Sequence, residues 1–282
     1  MATPIYPCLW FDGTARDAAV FYCSVFEKAK ITSDTSLVVT FELEGKKMMG
    51  LNSGPKFRIN PSISLFVTCA NDQEIETSWK KLIEGGSALM PLDKYPWAEK
   101  YGWVKDRFGM TWQLMVGDLA QRSQKIIPSF LFSNNQYGNA RNAIRFYTAI
   151  FPGSETHHQE LYKAGEPQPE GYLKFGHFTL NNEMFAAMDG PGNHEFTFNE
   201  GLSFVVECEN QKEIDFYWDH LTSDGGEESM CGWLKDKFGV SWQIVPLILG
   251  QLMSDPRKAP KVMNAFMKMK KFDIAALEKA AE

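Results

Sequence analysis

Along the first hundred residues the apolar positions change period in a regular order. A short apolar run over 6–11 predicts a strand; Ala18, Phe21, Tyr22 and Val25 then recur at helical spacing over 15–26, with Thr14 placed to cap the helix. Strand-like segments over 37–43 and 46–51 flank Glu44-Gly45, the signature of a two-residue hairpin. The order then restarts with a strand over 62–69 and an Asn71-capped helix to Glu84 that carries Ile75, Trp79 and Leu82. Gly85-Gly86 ends that helix, and two short strands meet across Arg107-Phe108-Gly109. Residues 87–101 contain Pro91, Pro96 and Trp97 and read as an ordered surface loop. Each half is thus a βαββ-type unit, with one further strand expected in each.

The whole arrangement occurs twice. Gly102-Trp103-Val104-Lys105-Asp106-Arg107-Phe108-Gly109-Met110-Thr111-Trp112-Gln113-Leu114 returns as Gly232-Trp233-Leu234-Lys235-Asp236-Lys237-Phe238-Gly239-Val240-Ser241-Trp242-Gln243-Ile244, with eight of thirteen positions identical. Upstream, Ala15-Arg16, Phe21-Tyr22 and Phe26 match Ala140-Arg141, Phe146-Tyr147 and Phe151. Between these blocks, Ser64, Cys69, Asn71, Glu74 and Ile75 match Ser203, Cys208, Asn210, Glu213 and Ile214. Three blocks in the same order define a duplication, which decides the architecture. The expected division is a first domain over 1–117, a linker over 118–126, a second domain over 127–246 and a helical extension over 247–282. That extension sets Met263, Phe266, Met267 and Met269 beside Lys268, Lys270 and Lys271, an amphipathic tail expected to cover its own domain or form a dimer contact.

Composition narrows the chemistry. Twenty-nine basic against 35 acidic side chains leave a net charge of −6, which argues against nucleic acid as a partner. No apolar run is long enough to span a membrane, and Met1-Ala2-Thr3-Pro4 lacks the basic and apolar pattern of a secretory leader, so a cytoplasmic location is expected. Five cysteines without a C-x-x-C pair suggest reduced thiols, neither disulfides nor a zinc knuckle. Lys105-Asp106 and Lys235-Asp236 read as surface turn residues with a local ion pair.

The helix motif Ala-Arg-x-Ala-x-x-Phe-Tyr and the twice-seen K-D-x-F-G-x-x-W-Q block resemble the PhnB-like branch of the vicinal oxygen chelate superfamily. That superfamily includes glyoxalase I, bleomycin-resistance proteins and extradiol dioxygenases, and the subgroup resembled is labelled 3-demethylubiquinone-9 3-methyltransferase. The resemblance spans about residues 5–250 and implies an α+β fold: tandem glyoxalase-like domains of paired βαβββ modules with curved, mostly antiparallel sheets around a ligand cavity. It also implies side-by-side pairing of modules, either as a homodimer or as a pseudo-dimer within one chain.

Relatives of this kind usually chelate a divalent metal with His and Glu on the first, fourth, fifth and eighth strands. Carried over, those places fall on Pro7, Met48 or Met49, Ser64 and Gln113, and in the second copy on Pro128, Met184 or Phe185, Ser203 and Gln243. Neither set is a chelating quartet. All five histidines (His157, His158, His177, His194 and His220) lie in the second half, and a site on His177 with Glu183 or His194 is the remaining metal option. No metal and no cofactor are therefore expected. The methyltransferase label meets a similar obstacle, since no G-x-G turn joins a strand to a helix.

If Trp112 packs beneath the helices, strand alternation turns Gln113 into the sheet's hollow, with Ser64 joining from the facing strand; Gln243 and Ser203 repeat the pair. Trp103, Trp233, Trp10, Phe132, Met48 and Met49 are candidates for a flat aromatic and thioether lining, or else for core packing. The expected function is metal-independent binding of a small aromatic or hydrophobic molecule. The alternatives are a metal-dependent lyase, isomerase or dioxygenase, and the methyltransferase of the subgroup label.

Overall fold

The computed structural model describes residues 5–118 and 124–282. It contains four βαβββ modules in succession. The first comprises β1 (Ile5–Phe11), α1 (Ala15–Val25), β2 (Ala29–Asp34), β3 (Val38–Leu43) and β4 (Lys46–Asn52). The second comprises β5 (Ile63–Cys69), α2 (Asp72–Leu82), β6 (Ser87–Tyr95), β7 (Ala98–Lys105) and β8 (Thr111–Val116). Next come β9 (Ile126–Phe132), α3 (Ala140–Ile150), β10 (Glu155–Leu161), β11 (Leu173–Leu180) and β12 (Glu183–Asp189). The fourth holds β13 (Leu202–Cys208), α4 (Gln211–Leu221), β14 (Glu227–Glu228), β15 (Trp233–Lys235) and β16 (Ser241–Pro246). Helices α5 (Ile248–Ser254), α6 (Ala259–Phe266) and α7 (Ile274–Ala280) follow. The expected leader-free start at residues 1–4 and part of the linker lie outside the described residues.

The strands form open, mixed sheets. By its contacts the chain divides into two compact units, residues 7–202 and residues 203–282 with 5 and 6. The larger unit contains a complete sheet in the order β10-β11-β12-β9-β5-β8-β7-β6. Half of this sheet comes from each sequence repeat. The joint is the antiparallel pair β5·β9, which sets Ser64 opposite Ser129 and Phe66 opposite Ile127. In the same unit β1 runs parallel to β4, followed by β3 and β2. In the smaller unit β13 runs parallel to β16, and Cys231 and Gly232 donate backbone N–H groups to Met269 and Lys270 of the C-terminal segment.

Local chemistry explains most element boundaries. Glu44 and Gly45 both take positive φ (50° and 84°), the turn that the twist of β3 and β4 requires. Asn71 and Asn210 cap α2 and α4 by accepting from Glu74 N and Glu213 N at 3.0 and 3.1 Å. Thr14, in contrast, makes no capping hydrogen bond. Asn52, at the end of β4, accepts from Ala15 N at 2.9 Å instead, and Asp189 does the same for Gly138 N and Ala140 N ahead of α3. The helix start is tied to a strand distant in sequence, which a local reading does not detect.

Two further expectations are corrected. Residues 87–101 are not a loop: they supply β6 and the start of β7, the additional strand expected in that half. β6 is the outermost strand, where the missing N–H of Pro91 costs no ladder bond, and its register shifts accommodate the irregular sequence. Asp106 is not a surface turn residue, being 2% exposed. It accepts from Phe108 N (2.8 Å), Met110 N (3.1 Å) and Trp112 Nε1 (2.8 Å), and Asp236 repeats this with Phe238, Val240 and Trp242. The K-D-x-F-G-x-x-W block is therefore a turn clasped by a buried carboxylate. Burial raises the pKa of Asp106 to about 6 against the pull of those donors.

Candidate functional site

Strand alternation assigns the two faces of the complete sheet. Trp112 meets Tyr22 and Phe26 at ring distances of 5.2 and 5.3 Å, so its face lies against the helices. Gln113 faces the other way, level with Trp103 on one side and Phe66 on the other. Its Nε2 donates to Ser64 Oγ at 2.6 Å and its Oε1 accepts from Tyr101 Oη at 2.8 Å. All three side chains are buried, and burial raises the Tyr101 pKa, so its hydroxyl keeps its proton.

Hydroxyl groups extend this arrangement in register across the strands. Thr111 stands one pleat before Gln113, Ser64 is next, Ser129 lies opposite Ser64, and Ala186 and His177 continue on β12 and β11. Ser129 Oγ, Thr111 Oγ1 and Trp103 Nε1 are buried and hydrogen-bond to none of the described residues. Around them Phe66, Tyr101, Ile127 and Ala186 form an apolar cluster, on which Tyr95, Trp103, Met115, Phe175 and Met184 pack half-buried. The β6–β7 hairpin adds a group of rings: Trp97 stacks on Tyr95 at 5.1 Å, and both approach Tyr101 edge-on.

The sequence candidates separate accordingly. Ser64, Gln113 and Trp103 come together on this face. Ser203, Gln243 and Trp233 form the corresponding group in the smaller unit, with Gln243 Nε2 donating to Ser203 Oγ at 2.9 Å. Met48 lies elsewhere, opposite Phe41, whose ring meets Tyr22 of α1. Phe132 packs with Phe130 and Phe198 on the helix side of β9. Met49 pairs with Cys8 and Thr40, while Trp10 donates to Gly54 O and meets Phe57 at 5.0 Å, away from Gln113. Tyr101, Ser129, Thr111 and Ala186 were missed. The pairing of β5 with β9 places Ser129, and Tyr101 has Cys231 as its counterpart, so the repeat gave no signal for it.

The fit to a metal can be read from the same face. The pleat puts Ser129, not Pro128, on the first-strand place, and Met184 and Ala186, not Phe185, on the fourth; Phe185 stacks on Phe130 at 5.9 Å. With Ser64 and Gln113 the set offers hydroxyls, one amide oxygen and a thioether or methyl, which do not fit a divalent cation. Glu183 is engaged by Lys46, and His194 Nε2 contacts Pro191 O. No group of three His, Cys, Asp or Glu suited to a metal ion occurs among the described residues.

Two clefts lie outside this face. One, of about 1210 Å³, runs between α1, residues 55–59 and the turn at 105–109; the other, of about 1000 Å³, surrounds the Lys46–Glu183 pair and Lys125. Both are charged and open, unlike the neutral, buried group at Gln113. No described helix is long and apolar enough to cross a membrane.

With four βαβββ modules and two clasped K-D-x-F-G-x-x-W-Q turns in place, comparison with known proteins is decisive. The 3-demethylubiquinone-9 3-methyltransferase family matches residues 3–115 and again 124–245. The chain belongs to this family. Its members are PhnB-like proteins of the vicinal oxygen chelate fold, and here the unit occurs in tandem. A PhnB protein from Bacillus cereus, described as a 3-demethylubiquinone-9 3-methyltransferase, is 36% identical over 41% of this chain and 100% of its own, with a TM-score of 0.39. Protein PA1353 from Pseudomonas aeruginosa is 22% identical over 39% of this chain and 93% of its own, with a TM-score of 0.35. Glyoxalase I from Zea mays shares the fold with a TM-score of 0.58 at 9% identity, over 90% of this chain and 97% of its own. The sequence matches no curated protein.

The family label names a methyl transfer, and the fold bears on its donor. Adenosyl donors are commonly held by a run of parallel strands with helical crossovers and a glycine-rich turn. In the larger unit the parallel contacts are the separate pairs β1·β4, β5·β8 and β9·β12, with no such run. The residues present do not fit that mode of binding.

Proposed function

We propose that this PhnB-like chain binds a small, flat, partly apolar molecule on the Gln113 face of the complete sheet and does so without a metal. The observation that carries this reading is the set of buried polar atoms on that face, Ser129 Oγ, Thr111 Oγ1 and Trp103 Nε1, which have no hydrogen-bond partner among the described residues. Each such group costs roughly 1–3 kcal/mol when left unpaired. Three of them beside the hydrogen-bonded Tyr101–Gln113–Ser64 chain, and bordered by aromatic and thioether side chains, favour a ligand that supplies the missing bonds.

The binding unit is a single chain, an internal pseudo-dimer, because both repeats contribute strands to the sheet that carries the face. Its five cysteines, with no C-x-x-C pair among them, suit a reducing, cytoplasmic setting. The test is native mass spectrometry of protein held in chelator and incubated with a metabolite extract. An organic adduct on the 32.0 kDa chain supports the reading, and an adduct formed only after divalent metal is restored overturns it.

A further inference from the structure

Resting on that binding reading, we infer the class of ligand: an uncharged aromatic molecule whose oxygen acts as a hydrogen-bond acceptor, a ketone, aldehyde or ester in place of an acid or an amine. The argument is an inventory of donors and acceptors. Trp103 Nε1 donates only, and it is buried without an acceptor among the described residues. Gln113 Oε1 already accepts from Tyr101 and its Nε2 already donates to Ser64, and the amide keeps a second N–H that can only donate. Ser64 Oγ accepts from Gln113, which leaves its own proton to give. Ser129 and Thr111 add two more hydroxyls without partners among the described residues. Two of these groups, the Trp103 indole N–H and the second Gln113 N–H, can only donate, whereas the hydroxyls serve in either role, so an acceptor oxygen from a ligand is what the row lacks.

Charge sets the second limit. Thr111, Ser64, Ser129, Gln113 and Trp103 carry no formal charge, and His177 stands two strands beyond Ser129, so an ion brought among these five loses its hydration with no charged side chain among them to replace it. Lys105 ends the same strand as Trp103 but is exposed, so it serves solvent more than the buried row. Discrimination by such a row is expected to be steep, because an analogue without the acceptor leaves buried donors unpaired.

Four probes of one shape separate the possibilities: acetophenone, benzoate, benzylamine and ethylbenzene. Each is titrated into nitrogen-15-labelled protein while the indole N–H signal of Trp103 is followed, assigned by its loss in Trp103→Phe. Acetophenone is expected to move that signal and to bind at least fivefold more tightly than the other three. Ser129→Ala and Thr111→Val are each expected to weaken acetophenone three- to tenfold and to leave ethylbenzene unchanged. Ethylbenzene equal to acetophenone, benzoate or benzylamine tightest, or indifference to both substitutions would overturn the class while the binding face stands. If no probe moves the Trp103 signal, both the class and the binding face fall.

Discussion

Gln113 and Ser64 are joined side chain to side chain across the parallel strands β8 and β5, Nε2 to Oγ at 2.6 Å. The same bond recurs between Gln243 and Ser203 at 2.9 Å. Only the first pair carries a buried tyrosine on the remaining amide oxygen, since Cys231 occupies the position corresponding to Tyr101. The duplication has therefore kept the amide–hydroxyl pair and elaborated it in one copy.

Removing the two glutamines should have unequal effects. Gln113→Ala strands both the Tyr101 hydroxyl and Ser64, and a loss of about 1–3 kcal/mol is expected in denaturant unfolding. Gln243→Ala breaks one bond and should cost about 0.5–1.5 kcal/mol, with weaker binding of any ligand held at that copy. Equal losses would mean that the Tyr101 bond contributes nothing.

Tyr101→Phe isolates that bond. It leaves the ring packed against Tyr95 and removes the donor to Gln113 Oε1. Stability is expected to fall by about 1–2 kcal/mol, and the freed amide oxygen should admit donor-bearing ligands that the wild type rejects. Unchanged stability and selectivity in a thermal-shift panel would contradict this.

The clasping carboxylate predicts a pH dependence. Burial pushes the Asp106 carboxyl in the folded protein up to about 6, above the ordinary aspartate value of ~3.9. The folded state thus holds its proton more tightly than the unfolded chain does. The stabilisation linked to that proton is complete below about pH 4 and is lost as pH rises through about 6, on the order of 2–3 kcal/mol. Asp106→Asn should remove this slope from a stability-versus-pH profile. It should also destabilise at pH 7, since one N–H donor then faces an amide NH2. A difference profile that is flat between pH 4 and 7 would contradict the assignment.

Trp97 lies at the tip of the β6–β7 hairpin and is 60% exposed, yet it stacks on Tyr95. Trp97→Ala should change stability by less than about 1 kcal/mol but weaken ligand binding measurably, because the exposed ring borders the face and the core does not need it. Loss of folding with binding retained per folded molecule would make the hairpin a structural prop.

Millimolar chelator should leave the melting temperature unchanged, because a set of hydroxyls, one amide and a thioether gives a divalent ion nothing to hold. A fall of several degrees would restore a metalloprotein reading.

Much of this was legible in the sequence, through particular residues. The duplication announced itself in the K-D-x-F-G-x-x-W-Q block, and the alternation around Trp112 set Gln113 on the opposite side of its strand. Three features were not legible, each for a physical reason. Pro91 disguised β6, because an edge strand tolerates the proline that a central strand rejects, and Pro96 belongs to the turn that follows it. Asp106 looked like a solvated turn because nothing local shows that Trp112 Nε1 returns to it. Ser129 was hidden because its place on the face is fixed by pairing with Ser64, 65 positions earlier in the chain. Strand pairing of this kind is a property of the assembled sheet.

The most direct measurement is a crystal structure of the chelator-treated protein with its ligand bound. The account predicts a flat molecule lying against Tyr101, Phe66 and Met184, with an oxygen within hydrogen-bond distance of Ser129 or Trp103 Nε1 and no metal ion beside it. A ligand held through a metal, or seated in the charged cleft between α1 and residues 105–109, would contradict it.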